Sequence, residues 1–128
     1  MALKMKTRLV DGVIIIDLMG RLTCGDPQML LRETVRHYLE NGNRKFILNL
    51  SDVNFVDSSG LGELISTKNL LTQQEGQVEL LGLTRKVRDV LIMTKLVTVF
   101  DCFEDESRAI SAVLNESPTK SLAAAEGR

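Results

Sequence analysis

Phe46-Ile47-Leu48-Asn49-Leu50, followed a few residues later by Asp57-Ser58-Ser59-Gly60-Leu61-Gly62, decides how this 128-residue chain folds. The first run is short and almost continuously apolar. That is the pattern of a strand buried on both faces, which implies a crossover connection and parallel pairing to an earlier strand. In the second run an acid, two hydroxyls and two glycines lead into an amphipathic segment that opens at Leu61, so a hydroxyl is displayed at a helix start. The first helical turn leaves backbone N–H groups unpaired and carries partial positive charge, and it can hold a phosphate added to serine. A structural cap and a regulatory switch share this pattern.

Toward the N-terminus, residues 3 to 10 alternate loosely, Asp11-Gly12 is a hairpin signal, and Val13 to Met19 is apolar and β-branched, so the chain opens with a β-hairpin ended by Gly20. Asp26 is the expected N-cap of a first helix, with Pro27 at its first position. Leu31, Val35, Tyr38 and Leu39 then recur at helical spacing until Asn41-Gly42. Toward the C-terminus, a second helix is expected from about Ser59 to Glu75, with Leu61, Leu64, Ile65 and Leu71 inward and Gly76 as its stop. A short strand follows from Val78 to Leu81, exposed enough to invite self-pairing, as is the hairpin. Thr84 reads as the N-cap of a third helix that places Val87, Val90 and Leu91 inward and Lys95 near its end. Val97 to Phe103 reads as a last strand. Residues 105 to 114 read as a final helix burying Ala109, Ile110 and Val113.

This alternation predicts a single α/β domain over residues 1–114, one sheet-and-helix layer pair. Its mixed β-sheet opens with an antiparallel hairpin and is covered by about four helices. Residues 115–128 are small, polar and alanine-rich, and are expected to form a flexible tail.

Sixteen basic and seventeen acidic residues leave a formal charge of -1, which argues against a dedicated nucleic-acid or acidic-membrane binder. Cys24 and Cys102 are too few for a disulfide framework or a zinc cluster, so reduced thiols, no metal and no cofactor are expected. Lys4, Lys6 and Arg8 interrupt any leader-like opening, and Val13 to Ile16 is far too short to cross a bilayer. A cytoplasmic protein without a membrane role follows as the expectation. Arg44, Lys45, Arg85, Lys86 and Arg88 read as a solvated surface, with the group at 85 to 88 able to meet an acidic partner.

The chain resembles the anti-sigma factor antagonist family, small bacterial proteins sharing the STAS domain. Four stretches carry the likeness: Met19-Gly20-Arg21-Leu22, Asn49-Leu50-Ser51-Asp52-Val53, Phe55-Val56-Asp57-Ser58-Ser59-Gly60-Leu61-Gly62, and Met93-Thr94-Lys95-Leu96. The likeness as a whole covers roughly residues 5 to 113. The resemblance implies that Ser58 is phosphorylated by a partner that is both anti-sigma factor and serine kinase. It also implies that the unphosphorylated form binds that partner and frees a sigma factor, and that a serine phosphatase restores it. Transcription would be regulated by partner switching without contact to DNA. Asp57, Ser58, Ser59, Gly60, Leu61 and Gly62 would form the partner-binding loop, with Arg21 and Thr23 beside it. Family members often carry an acid pair where this chain has Arg21-Leu22-Thr23, and commonly a glycine at the position of Lys95.

Other readings stand beside this one. Asp57, Ser58 and Ser59 merely cap a helix in the simplest of them, with Ser59 the natural cap. A constitutive STAS scaffold in a signalling or lipid-transport assembly, never phosphorylated, is the alternative from another class. A catalytic serine fits poorly, because Gly-x-Ser-x-Gly is absent and the only histidine, His37, lies on the first helix. No enzyme activity is expected. The missing Gly-x-x-x-x-Gly-Lys makes the chain a kinase substrate rather than a kinase.

Overall fold

A computed structural model describes residues 3–115. Past Asn115, the tail expected over residues 115–128 lies outside the described residues. The chain runs β1 (Lys4–Val10), β2 (Val13–Leu22), α1 (Asp26–Glu40), β3 (Lys45–Val56), α2 (Ser58–Gln73), β4 (Gln77–Leu81), α3 (Arg85–Met93), β5 (Cys102–Phe103) and α4 (Glu106–Asn115). The strands form one sheet in the order β1-β2-β3-β4-β5. β1 pairs antiparallel to β2, and every later pairing is parallel. Asp11 and Gly12 both take positive φ, 53° and 82°, the geometry a two-residue hairpin turn requires.

The apolar runs at Val13–Ile16 and Phe46–Leu48 are buried on both sides, which makes three layers rather than the expected single pair. On one face Ile14, Ile16, Phe46, Leu48, Val78 and Leu80 pack with Leu31 and Val35 of α1, Leu64 and Leu71 of α2, and Val87 and Leu91 of α3. On the other, Val13, Ile15, Ile47 and Leu81 meet Ala109, Ile110 and Val113 of α4. Strands that feed two cores cannot show the two-residue alternation of a half-exposed sheet, and β2 and β3 do not.

Several local expectations are corrected. Gly25, at φ 93°, precedes α1 without a side-chain cap, and Asp26 is instead the first helical residue, where its charge suits the dipole. The last strand is only Cys102–Phe103. Val97 enters a 3-10 turn, Leu96–Thr98, capped by Val99, because Lys95 turns left-handed at φ 63° and Phe100 is drawn into the core at 3 % exposure. Packing overrides β propensity there. β4 is buried along its whole length, paired with β3 throughout and with β5 at Leu80 and Leu81, so it is not the exposed strand expected. β1 is an open edge, and Lys4, Lys6 and Arg8 blunt it.

Two of the basic residues read as solvated are structural ties. Lys45 donates to the Val113 carbonyl at 2.9 Å, placing a cation at the C-terminal turn of α4, and Arg44 donates to the Leu39 carbonyl at 3.0 Å. Arg8 clamps the start of α4 to the sheet, with 2.7 Å to Asp17 and 2.8 Å to Glu106.

Candidate functional site

β3 runs well past its neighbour β4, and its last residues pair with the end of β2 as Arg21↔Phe55 and Leu22↔Val56. The chain turns at Asp57, whose extended backbone (φ -94°, ψ -175°) makes it the N-cap of α2. One carboxylate oxygen accepts the Gly60 N–H at 2.8 Å and the other accepts the Cys24 N–H at 3.1 Å. The Asp57 N–H donates to the Leu22 carbonyl at 3.3 Å, and its carbonyl accepts the Leu61 N–H at 2.9 Å. A single acid thereby joins three segments: the end of β2, the loop before α1 and the first turn of α2. These amides, that of Gly60 foremost, hold the Asp57 carboxyl below the usual carboxylate range, so it is ionised at neutral pH.

Ser58 is the first helical residue and is exposed. Its outward aim follows from helix geometry and from Gly60. A Cβ at position 60 would run into the Leu22 carbonyl oxygen and come within 2.9 Å of Val56, so only glycine lets α2 approach the sheet this closely. At about 100° per residue, Ser58 lies on the opposite side of the helix from Gly60. Gly62, Ser66 and Asn69 continue the exposed strip. A Cβ at Gly62 would meet nothing within 4 Å, so that glycine is not demanded by the fold and simply leaves the surface bare beside Ser58.

The expected site residues are thus not all equivalent. Asp57, Ser58 and Gly62 stand together at the surface. Ser59 is half-buried and is not the cap, because the Asp57 carboxylate takes that role. Gly60 is buried, and half-buried Leu61 packs against the core. Arg21 is exposed at the same end of the sheet, with its guanidinium carbon 4.5 Å from the Phe55 ring centroid. Thr23 is half-buried in a crevice of about 610 Å³ beside the start of α1, shared with Leu3, Cys24, Pro27, Met29 and Leu30.

Three participants were not found by reading the sequence. Phe55, 42 % exposed, supports Arg21, and the Cys24 amide holds Asp57. Glu63, 2 % exposed on the inner side of α2, accepts from Arg32 of α1 at 2.9 Å and fixes the helix bearing Ser58 against its neighbour. A helical period places Glu63 near the buried stripe, but nothing local identifies Arg32 as its partner. Among the described residues no group of three or more His, Cys, Asp or Glu is arranged to hold a metal ion. His37 lies eleven residues down α1 from its start, about 16 Å along the axis, and stacks edge-on against Tyr38. Cys24 is exposed and Cys102 half-buried, with burial pushing the Cys102 thiol pKa up. Among the described residues no helix is long and apolar enough to cross a membrane.

The sequence profile of the STAS domain matches residues 4–109. A Bordetella bronchiseptica protein, BtrV, assigned by name as an anti-sigma factor antagonist, is 23% identical over 116 residues, covering 91% of this chain and 99% of its own. A Thermotoga maritima protein assigned the same role is 26% identical over 106 residues, covering 83% and 94%. A crystal structure of an anti-sigma factor antagonist, so assigned, from Thermotoga maritima superposes with a TM-score of 0.80 at 27% identity, over 87% of this chain and 95% of that one.

Proposed function

This chain belongs to the STAS domain family, and on that premise we propose that it is an anti-sigma factor antagonist whose docking to a serine-kinase anti-sigma factor is switched by phosphorylation of Ser58. The observation that carries this reading is the exposed Ser58 hydroxyl at the first position of α2, on a loop held rigid by Asp57. The relatives' names supply the class of partner.

In the reaction, the Ser58 oxygen attacks the γ-phosphorus of ATP held by the kinase. ADP leaves, and the serine proton passes to a kinase base. A phosphatase reverses the modification with water. The product carries about 1.5 to 2 negative charges at neutral pH beside the already ionised Asp57. The N-terminus of α2 offsets only about 0.3 to 1 kcal/mol of this, and Asp57 already occupies the Gly60 amide. The fold tolerates the group because Ser58 faces solvent, so the charge acts on the interface. A hydrated dianion inside a protein contact must lose water or find cations, and each 1.4 kcal/mol of mismatch is about tenfold in affinity.

Incubation of the protein with its cognate kinase and ATP tests the assignment by intact mass. One phosphoryl group is expected on the wild type and none on Ser58→Ala. Equal labelling of both proteins would reject Ser58 as the acceptor. Tight binding to the same kinase with no labelling of either would favour a constitutive scaffold.

A further inference from the structure

We propose that the crevice beside the start of α1 is the other half of the docking surface, and that the kinase anti-sigma factor fills it with an apolar side chain flanked by a lysine or arginine. The proposal rests on the reading of Ser58 as the switch within that same contact. The crevice, of about 610 Å³, adjoins the Ser58 loop: Cys24 lines it and donates its amide to Asp57, the residue before Ser58. A partner that covers the serine is thereby brought against α1.

α1 carries two stripes. Leu31, Val35 and Leu39, four residues apart, are buried and account for its packing on the sheet. Asp26, Met29, Leu30 and Glu33 stand at the i, i+3, i+4 and i+7 positions of a second face, and all four line the crevice. At about 100° per residue this stripe points away from the buried one, so the core does not account for its apolar members. Met29 is 51% exposed and Leu30 39%. Half-buried Pro27 and buried Leu3, just before β1, add apolar walls, so the two side chains belong to a concavity rather than to scattered surface. Pockets of this kind receive the anchor residues of protein interfaces.

Charge selects the anchor's neighbour. Asp26 and Glu33 lie at the two ends of the stripe, and no lysine or arginine lines the crevice. Among the described residues neither acid makes an ion pair. A cation on the partner complements them and fixes the register of docking. A second copy of this chain fits poorly, because a two-fold contact through this face would set the same carboxylates against each other.

Two readouts test this, both with the cognate kinase anti-sigma factor held with a non-hydrolysable ATP analogue. In the first, the Met29→Ser, Leu30→Ser double variant should bind at least about tenfold more weakly than wild type with an unchanged thermal midpoint, since both side chains are exposed. Leu114→Ser, 41% exposed on α4 across the sheet, should bind as wild type does. Glu33→Lys should weaken binding about tenfold at low salt and by less at roughly 500 mM. In the second, alkylation of exposed Cys24 by iodoacetamide, followed by peptide mass, should slow at least about tenfold in the wild-type complex, while alkylation of Cys102 stays as in the free protein. Full binding and Ser58 labelling in the double variant, with Cys24 as reactive in the complex as in the free protein, would overturn the crevice and leave the switch standing. Protection of Cys24 and loss of binding in the double variant, with no labelling of Ser58 under ATP, would uphold the crevice and overturn the switch.

Discussion

At Asp57 and Ser58 two neighbouring side chains face opposite ways. Asp57 turns inward to three backbone segments, while Ser58 turns outward to solvent. Ser58→Ala should therefore leave stability within about 0.5 kcal/mol of wild type in denaturant titration, as surface substitutions generally do. Asp57→Ala should lower the thermal midpoint, because the Gly60 and Cys24 amides lose their acceptor. The pH dependence has a definite sign. The folded carboxyl pKa of Asp57 is depressed by those amides, so its stabilisation is complete above the ordinary Asp value of about 3.9 and is lost as pH falls through the lower folded value. The gap in thermal midpoint between wild type and Asp57→Ala should accordingly close on acidification below pH 4. Gly60→Ala should cost roughly 1–3 kcal/mol, the scale of overpacking, since the added methyl meets the Leu22 backbone, which cannot rotate away. A helix start with a serine displayed on it was legible from residue order alone, but the natural cap in that reading was Ser59, and Asp57 takes the role. The contact of Gly60 with Leu22 was not, because it joins residues far apart in the chain.

At the scale of elements, what the sequence expressed was what local chemistry determines. The Asp11-Gly12 turn, the buried run in β3 and the Thr84 cap all formed as read, with Thr84 accepting the Val87 N–H at 3.4 Å and donating to the Val53 carbonyl at 2.8 Å. Thr84→Ala should destabilise by about 0.5–2 kcal/mol, measured by chemical denaturation. The reading failed where distant packing decides. The valines near residue 97 have strand propensity but follow a left-handed Lys95 and precede the buried Phe100. Lys95 occupies the C′ position after α3, where glycine is the unstrained choice. Lys95→Gly should raise stability by roughly 0.5–1 kcal/mol, the relief of left-handed strain less the entropy of glycine, and a fall in the denaturation midpoint would contradict this. The inner stripe of α2 was also misread in part. Leu64 and Leu71 are buried as expected and half-buried Leu61 packs against the core, but Gly60, Glu63 and Thr67 complete the buried stripe rather than Ile65. A polar residue on a buried stripe can be interpreted only once its partner, here Arg32, is in view.

At the scale of the whole molecule, the sheet is a plate with α1, α2 and α3 on one side and α4 on the other, and Ser58 stands just past the end of β3. Arg8 secures the fourth helix through Asp17 and Glu106, and its guanidinium holds the Asp17 carboxyl below the usual range. This depressed acid contributes stability above its unfolded pKa that disappears as pH falls through the folded one. Asp17→Asn should therefore be less stable than wild type at pH 7, with the difference shrinking below pH 4 in thermal melts. Because Ser58 is solvent-facing on this plate, its modification should alter binding while leaving the fold unchanged. The most direct test is the dissociation constant for the cognate kinase anti-sigma factor, measured by calorimetry with the unmodified protein and with homogeneous phospho-Ser58 protein of matched thermal stability. A loss of about a hundredfold or more in affinity, equivalent to roughly 2.7 kcal/mol, is the predicted result. Equal affinity of the two forms would contradict the account.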